Sequence, residues 1–474
     1  MLSLQRLAGD RFLLSFLLAF FLIYSIAVLY LHDACHRDPS SVFWQPEKAL
    51  RLSYTAFRKE EARRFADRAE QREQIKWDNA TAPRLCIGIA SVSRHGISYL
   101  RDTLGSLLKG LEHIERRQIY ITVFLAHTNQ SEHEDSSARW LHNIVDSLPT
   151  YPEDDQLIEL VRMLENDKSY PAHARKQKID YSVLLGECAK VRPAYTVTLE
   201  DDIIALDGWY HRTLFALQTA VRKTKELGRD QCRYTLIVSI KLILATFRMP
   251  DSIPLRERLT QQCPVVLYLR IFYDSRLLGW NSEEWPYYFG YSLLVALSVV
   301  TLVSSVRRYF PAARQAISIE LVLVICGICT PMVILLFFAA GRSCMLPKRP
   351  GVDLMQKYGC CLQGLAIPQR QITEHLLPLF HDTRDSHAAA DTFLEDYANE
   401  HDELRWAVTP SLIQHVGGKS SHGVGDQVYG RITGDMPFNY DFERNDPAQL
   451  ALEHLAYIDE LQRHFVNASS PFTK

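Results

Sequence analysis

Three stretches of the chain run for about 20 positions without a charged residue: Phe12 to Leu31, Tyr287 to Val306 and Leu321 to Ala340. A helix of that length crosses the hydrocarbon core of a bilayer. Arg6 and Arg11 precede the first stretch and no small-residue cleavage site follows it, so it reads as an uncleaved signal anchor with a cytosolic N-terminus. Arg307, Arg308 and Arg314 fall between the second and third stretches, which makes them a hairpin with a positive, hence cytosolic, tip. A buried core helix is the alternative for Tyr287 to Val306, which is rich in Ser, Tyr and Thr. The three stretches lack Asp, Glu, Lys and Arg, which argues against a channel or pump. The chain thus divides into a cytosolic tail (1–11), a first span (12–31), a lumenal stem (32–84) and the first part of a globular domain (85–286). A second span (287–306), a cytosolic loop (307–320), a third span (321–340) and the second part of the domain with its tail (341–474) complete it. Parity returns the chain to the compartment it left, so two distant segments can build one domain.

Outside the spans the pattern changes period. Leu85 to Val92 is a continuous apolar run closed by Ser93-Arg94-His95-Gly96 and followed by helical spacing from Tyr99 to Leu111. Ile119 to Ala126 and Tyr195 to Leu199 are further strand-like runs. Strands alternating with helices predict an α/β fold with a mostly parallel sheet, whose ligands bind at the carboxyl ends of the strands. The third run ends in Glu200-Asp201-Asp202 and then Ile203-Ile204, a strand that delivers carboxylates to the sheet edge where a divalent cation and a diphosphate can meet. If the first and third strands are neighbours, Ser93 and Arg94 face the same crevice as the acids. A solvated acidic turn and surface loop residues are the plainer readings of these positions. Residues 46–78 are charged, with Leu50, Tyr54, Phe57 and Phe65 at helical intervals, and read as a solvated stem helix.

Composition narrows the function further. The 53 basic and 55 acidic residues nearly cancel, and no basic block occurs, which excludes an electrostatic nucleic-acid reader. Eight of the ten cysteines lie outside the third span, which fits an oxidising compartment. Cys344 with Cys360 or Cys361 is the favoured disulfide, because both sites border the exit of the hairpin. Asn79, Asn129 and Asn467 begin glycosylation sequons. Arg270, on the apolar run Tyr268 to Tyr273, is a buried cation that needs a partner: a core ion pair or an acceptor contact.

Val197-Thr198-Leu199-Glu200-Asp201-Asp202, Tyr268 to Tyr273, Gly359-Cys360-Cys361-Leu362-Gln363-Gly364 and Pro410-Ser411-Leu412-Ile413-Gln414-His415-Val416-Gly417 resemble the motifs of the post-GPI-attachment GalNAc transferases. The hairpin that follows Trp285-Pro286 is similar too, and the last motif also resembles that of N-acetylglucosaminyltransferase IV. The resemblance implies a GT-A-like α/β domain split by a transmembrane hairpin. It implies a multi-pass Golgi enzyme that moves GalNAc from UDP-GalNAc, with Mn2+ or Mg2+, to the first mannose of the glycan on GPI-anchored proteins. Glu200, Asp201 and Asp202 would be the sugar-nucleotide motif, with Asp202 and Glu200 on the cation and His415 beside it or the diphosphate; a core histidine is the plainer reading. Ser420 and Ser421 would contact phosphate. By the same resemblance Asp396, or else Glu395, would be the base; ordinary helix-start acids are the alternative. Residues 233–266 depart from the family pattern as an insertion, and 424–474 extend beyond it as a terminal loop and helix. Competing readings are a transferase with another donor or acceptor, a non-catalytic GPI-binding module and a transporter.

Overall fold

A computed structural model describes the chain except residues 1, 72–73, 95, 246–265, 312–313, 315–316, 356–361, 383–387, 419–436 and 469–474. Cys360, Cys361, Ser420, Ser421 and most of the 233–266 insertion therefore lie outside the described residues. The rest forms two units. One comprises Met1–Arg51 with Asp274–Lys348, the other Leu52–Tyr273 with Arg349–Lys474.

The first unit holds the three helices long and apolar enough to cross a membrane, Phe12–Ala34, Ser275–Tyr309 and Ile319–Ala339. Their outward side chains, among them Leu18, Leu22, Leu294 and Leu335, are exposed apolar groups that an aqueous protein would bury. Pro331 falls just after a π-helical turn at Ile325–Cys329, which absorbs the hydrogen bond that proline cannot make. A disulfide joins Cys35 to Cys344 and brings together the C-terminal ends of the first and third helices. Cys344 is thus bonded to Cys35 and not to Cys360 or Cys361. Asp38 fixes the same junction: one carboxylate oxygen accepts Ser40 N–H at 2.8 Å, the other Cys344 N–H at 2.8 Å. A side chain at Gly341, φ +94°, would meet that second oxygen at 2.4 Å, so only glycine allows the approach.

The second unit is built on a seven-stranded sheet. Its strands are β1 (Leu85–Ser91), β2 (Ile119–Leu125), β3 (Tyr195–Glu200), β5 (Val266–Arg270), β6 (Gly351–Leu354), β7 (Gly364–Pro368) and β8 (Leu404–Thr409), in the order β2-β1-β3-β7-β5-β8-β6. β1, β2 and β3 pair in parallel, as do β5 and β8, whereas β7 runs antiparallel to both β3 and β5. The mostly parallel sheet is the expected one. β7, encoded after the apolar hairpin, sits between two strands encoded before it, so neither half of the sequence completes the sheet. Two short strands, β4 (Ile203–Ala205) and β9 (Ile413–His415), form a separate antiparallel ribbon. A second disulfide, Cys86–Cys188, ties β1 to the Tyr170–Lys190 helix.

The stem reading needs correction. Within 32–84, the helix Ser53–Gln71 belongs to the sheet unit, with Ala62, Ala66 and Ala69 fully buried. These small residues recur on one face and let the helix lie against Leu100–Leu108, where a Cβ on Gly105 would stand 2.4 Å from the Ala62 carbonyl oxygen. Buried Arg58 donates to the carbonyls of Ala205 at 3.0 Å and Ser106 at 2.8 Å. Glu443, from the terminal extension, accepts the N–H groups of Tyr54 and Thr55 at the helix start, both at 3.1 Å. Charge on the outer face hid an alanine seam on the inner one.

Candidate active site

β3 runs beside β1 with Glu200 paired to Ala90, so the first of the three acids emerges level with the end of β1. The chain then turns into β4, whose register places Ile203 opposite His415 of β9, and the Val416 N–H donates to the Asp202 carbonyl at 2.8 Å. The ribbon is what brings an imidazole from 213 positions further along the chain to the acids: His415 Nε2 lies 3.5 Å from Asp202 Oδ2. His415 Nδ1 faces the Pro437 carbonyl at 3.1 Å, which fixes the ring and leaves Nε2 toward the acids. Thr103 Oγ1 bridges the turn, 2.7 Å from the Asp201 carbonyl and 2.8 Å from that of Ile203.

The three carboxylates have different environments. Asp201 takes a two-pronged contact from buried Arg94, at 2.8 and 2.7 Å, and a further hydrogen bond from Ser91. Glu200 accepts from Gln363 Nε2 at 3.0 Å. Asp202 has one oxygen near His415 and Arg94, while its buried Oδ1 has no hydrogen-bond partner among the described residues. Burial, and then the charge of Asp202, pushes Glu200 up to about 8. Burial also opposes ionisation of Asp202, but His415 and Arg94 outweigh it and hold the group down at about 2. Burial disfavours a charged His415, and the adjacent Asp202 more than reverses this, so the imidazole lies above its ordinary value. Burial raises Asp201 as well, against the charge of Arg94, so three acids face a single guanidinium and charge is disfavoured on two of them.

That arrangement fits a divalent cation. Glu200, Asp202 and His415 each offer a donor atom, all within 4.8 Å of one another. The orphaned Asp202 oxygen is a lone pair that awaits a partner, and glycine at 417 keeps the approach open, since a Cβ there would stand 2.1 Å from Asp202 Oδ2. Two carboxylates and an imidazole suit a hard or borderline ion such as Mg2+ or Mn2+. The acids border a cavity of about 950 Å³, whose lining also includes Ser93, Arg94, Tyr181, Gln363 and Asp391. That volume suits a nucleotide sugar.

The family described as GPI-N-acetylgalactosamine transferase PGAP4 matches residues 85–414, more than half the chain. The chain belongs to this family. The matched range contains all three acids, Arg94 and Asp391, and ends one residue before His415. The GPI-N-acetylgalactosamine transferases are glycosyltransferases, and more distant similarity points the same way. Alpha-1,3-mannosyl-glycoprotein 4-beta-N-acetylglucosaminyltransferase B of Danio rerio is 32% identical over 152 residues, 29% of this chain and 27% of the relative. The A enzyme of Xenopus tropicalis is 29% identical over 216 residues, 43% of this chain and 36% of the relative. The C enzyme of Sus scrofa is 30% identical over 128 residues, 25% of this chain and 27% of the relative. The chain spans about a quarter to a third of the length of these relatives.

Against this family background the structure brings together Arg94, Glu200, Asp201, Asp202 and His415 and separates the others. Ser93 lines the cavity but is engaged elsewhere, its N–H with His127 at 2.9 Å and its hydroxyl with Glu134 at 3.0 Å. Glu395 is bound by two guanidinium groups, Arg270 and Arg405, the second at 2.7 Å, and accepts from the Tyr268 hydroxyl. Arg270 is thereby a core ion pair. Asp396 is exposed on the Ala390–Glu400 helix and is not among the cavity-lining residues. Asp391, five positions earlier and about 140° around that helix, does line the cavity. Sequence reasoning gave no role to Ser91, Thr103, Gln363 or Asp391. Only Gln363 lay in a recognised motif; Ser91 and Thr103 had no local signal, since each acts through a neighbour brought by the fold, and Asp391 reads in sequence like any other acid in a first helical turn.

Proposed function

We propose that this chain is a Golgi glycosyltransferase that moves GalNAc from UDP-GalNAc to the first mannose of the glycan on GPI-anchored proteins, inverting the anomeric carbon. The observation that carries it is the convergence of Glu200, Asp202 and His415, drawn from both sides of the apolar hairpin, at the rim of a cavity large enough for the donor. The sugar and acceptor follow from the family match over 85–414. A Mn2+ or Mg2+ ion held by these three residues would neutralise charge on the departing diphosphate. Arg94, braced by Asp201, adds a fixed positive charge at the same rim.

The base is Asp391. Glu395 is committed to two cations and Asp396 faces outward, whereas Asp391 is half-buried at the cavity and, among the described residues, its carboxylate accepts only from the adjacent Thr392. In the displacement, Asp391 takes the proton of the acceptor hydroxyl as that oxygen bonds to the anomeric carbon. The bond from the anomeric carbon to the diphosphate oxygen breaks, and its electron pair leaves with UDP. A lumenal catalytic part accords with the Cys35–Cys344 bond, because both cysteines follow apolar helices and require an oxidising compartment.

The test is restoration of GalNAc on GPI glycans in cells lacking that side chain, with the released glycan read by mass spectrometry. Wild type restores the residue; Asp202→Ala and Asp391→Asn, expressed at equal level, do not. Full rescue by Asp202→Ala would sink the catalytic reading. A different added sugar would sink the donor assignment alone.

A further inference from the structure

A second group of metal-type donors lies in the same unit, away from the cavity, and the transfer reaction makes no use of it. Glu115 lies in the short His113–Arg116 helix before β2, His211 stands in the first turn of the Trp209–Ala245 helix, and His454 comes from the Pro447–Ala468 helix. One donor atom from each lies within 4.8 Å of the other two. None of the three lines the cavity that the acids border.

Their hydrogen bonding is incomplete in a convergent way. Glu115 is 0% exposed; its Oε2 accepts from the Glu112 N–H at 2.9 Å and lies 2.9 Å from His454 Nε2, while its buried Oε1 has no partner among the described residues. Buried His211 Nδ1 and Asp207 Oδ1 are likewise unpartnered among the described residues. An orphaned carboxylate oxygen and an orphaned imidazole nitrogen in one cluster are buried polar groups whose lost hydration nothing among the described residues replaces. The other ring nitrogen of His454, Nδ1, is 3.8 Å from Asp207 Oδ1, the carboxylate–imidazole relation that orients a metal-bound histidine from behind. The backbone makes room for both flanking groups. Gly110 at φ +102° and Gly208 at φ +73° are positions where a Cβ would stand 2.4 Å from Asp207 Oδ1 and from the His211 ring respectively.

We propose that Glu115, His211 and His454 form a second divalent-cation site, of the zinc type, with Asp207 as the outer partner of His454. Two imidazoles and one carboxylate are a zinc donor set, and a fourth position is left for water. Glu115 and His211 lie inside the family-matched range, but His454 lies beyond it, so the ion fastens the terminal helix to the domain. Its role is structural, and it does not depend on the transfer reading.

The experiment uses the purified full chain in detergent, stripped with a chelator and titrated with zinc alone, reading bound metal by mass spectrometry and the unfolding midpoint by heat. Zinc is expected to bind at about one equivalent in the Asp202→Ala variant and to raise the midpoint. His454→Gln and His211→Gln should abolish that equivalent. Asp207→Asn, which leaves all three donors in place, should weaken it roughly 10–100-fold. Zinc that neither binds the stripped Asp202→Ala chain nor shifts its midpoint would overturn the site and leave a Glu115–His454 ion pair only. Retention of full zinc content in His454→Gln would overturn it equally. Because Asp202 is already removed, neither outcome bears on GalNAc transfer.

Discussion

The sheet unit buries two knots of arginine and carboxylate that differ in stoichiometry. At the cavity rim three acids, Glu200, Asp201 and Asp202, meet one guanidinium, Arg94. At the carboxyl end of β5 the count reverses, with Arg270 and Arg405 closing on the single acid Glu395, which also accepts from the Tyr268 hydroxyl. The first knot keeps one Asp202 oxygen without a hydrogen-bond partner among the described residues and opens to a large cavity. The second is closed by protein groups. Buried acids and arginines therefore carry no functional meaning by themselves; an open donor atom with access to a cavity separates a site from a structural cluster.

That contrast can be broken by mutation. Asp202→Ala should lower transfer roughly a thousandfold, and chelation of wild type should do the same until Mn2+ is returned, measured as UDP release with a GPI glycan acceptor. Arg270→Ala should break a buried ion pair by removing one of the two guanidinium groups that hold Glu395, and cost about 3 kcal/mol of stability, seen as a lower urea midpoint. If Arg270→Ala instead spared stability and abolished transfer, the two knots would have exchanged roles. Asp391→Asn should lower transfer about a hundredfold while UDP binding, measured by calorimetry, persists, and Asp396→Asn should leave both within about twofold. Ser91→Ala removes one of the supports of Asp201 and should cost about 1 kcal/mol of stability with a small loss of rate.

Much of this was legible in the chain because it rests on local pattern. β1, β2 and β3 are apolar runs with turn residues at their ends, and the acids follow the third directly. Uncharged length alone marked the three apolar helices. What escaped was non-local. The Ser53–Gln71 helix buries itself with alanines, which scarcely alter a hydropathy pattern, so its charged outer face dominated the reading. The Cys35–Cys344 pairing is set by helices whose ends meet, and spacing holds no record of that. Asp391 and Asp396 look alike in sequence, and only the rotation of their helix against the cavity distinguishes them. His415 entered through a family motif; the β4–β9 register that delivers it to Asp202 had no signature of its own.

The position of β7 has a consequence for biosynthesis. While a ribosome is still making the apolar hairpin, β3 and β5 already exist with their inner edges bare, and the strand that must fill the gap has not been synthesised. Such open edges invite wrong partners. The nascent chain must therefore wait, half assembled, for its own later residues to arrive, and a ribosomal pause within the hairpin would prolong the period in which misassembly can occur.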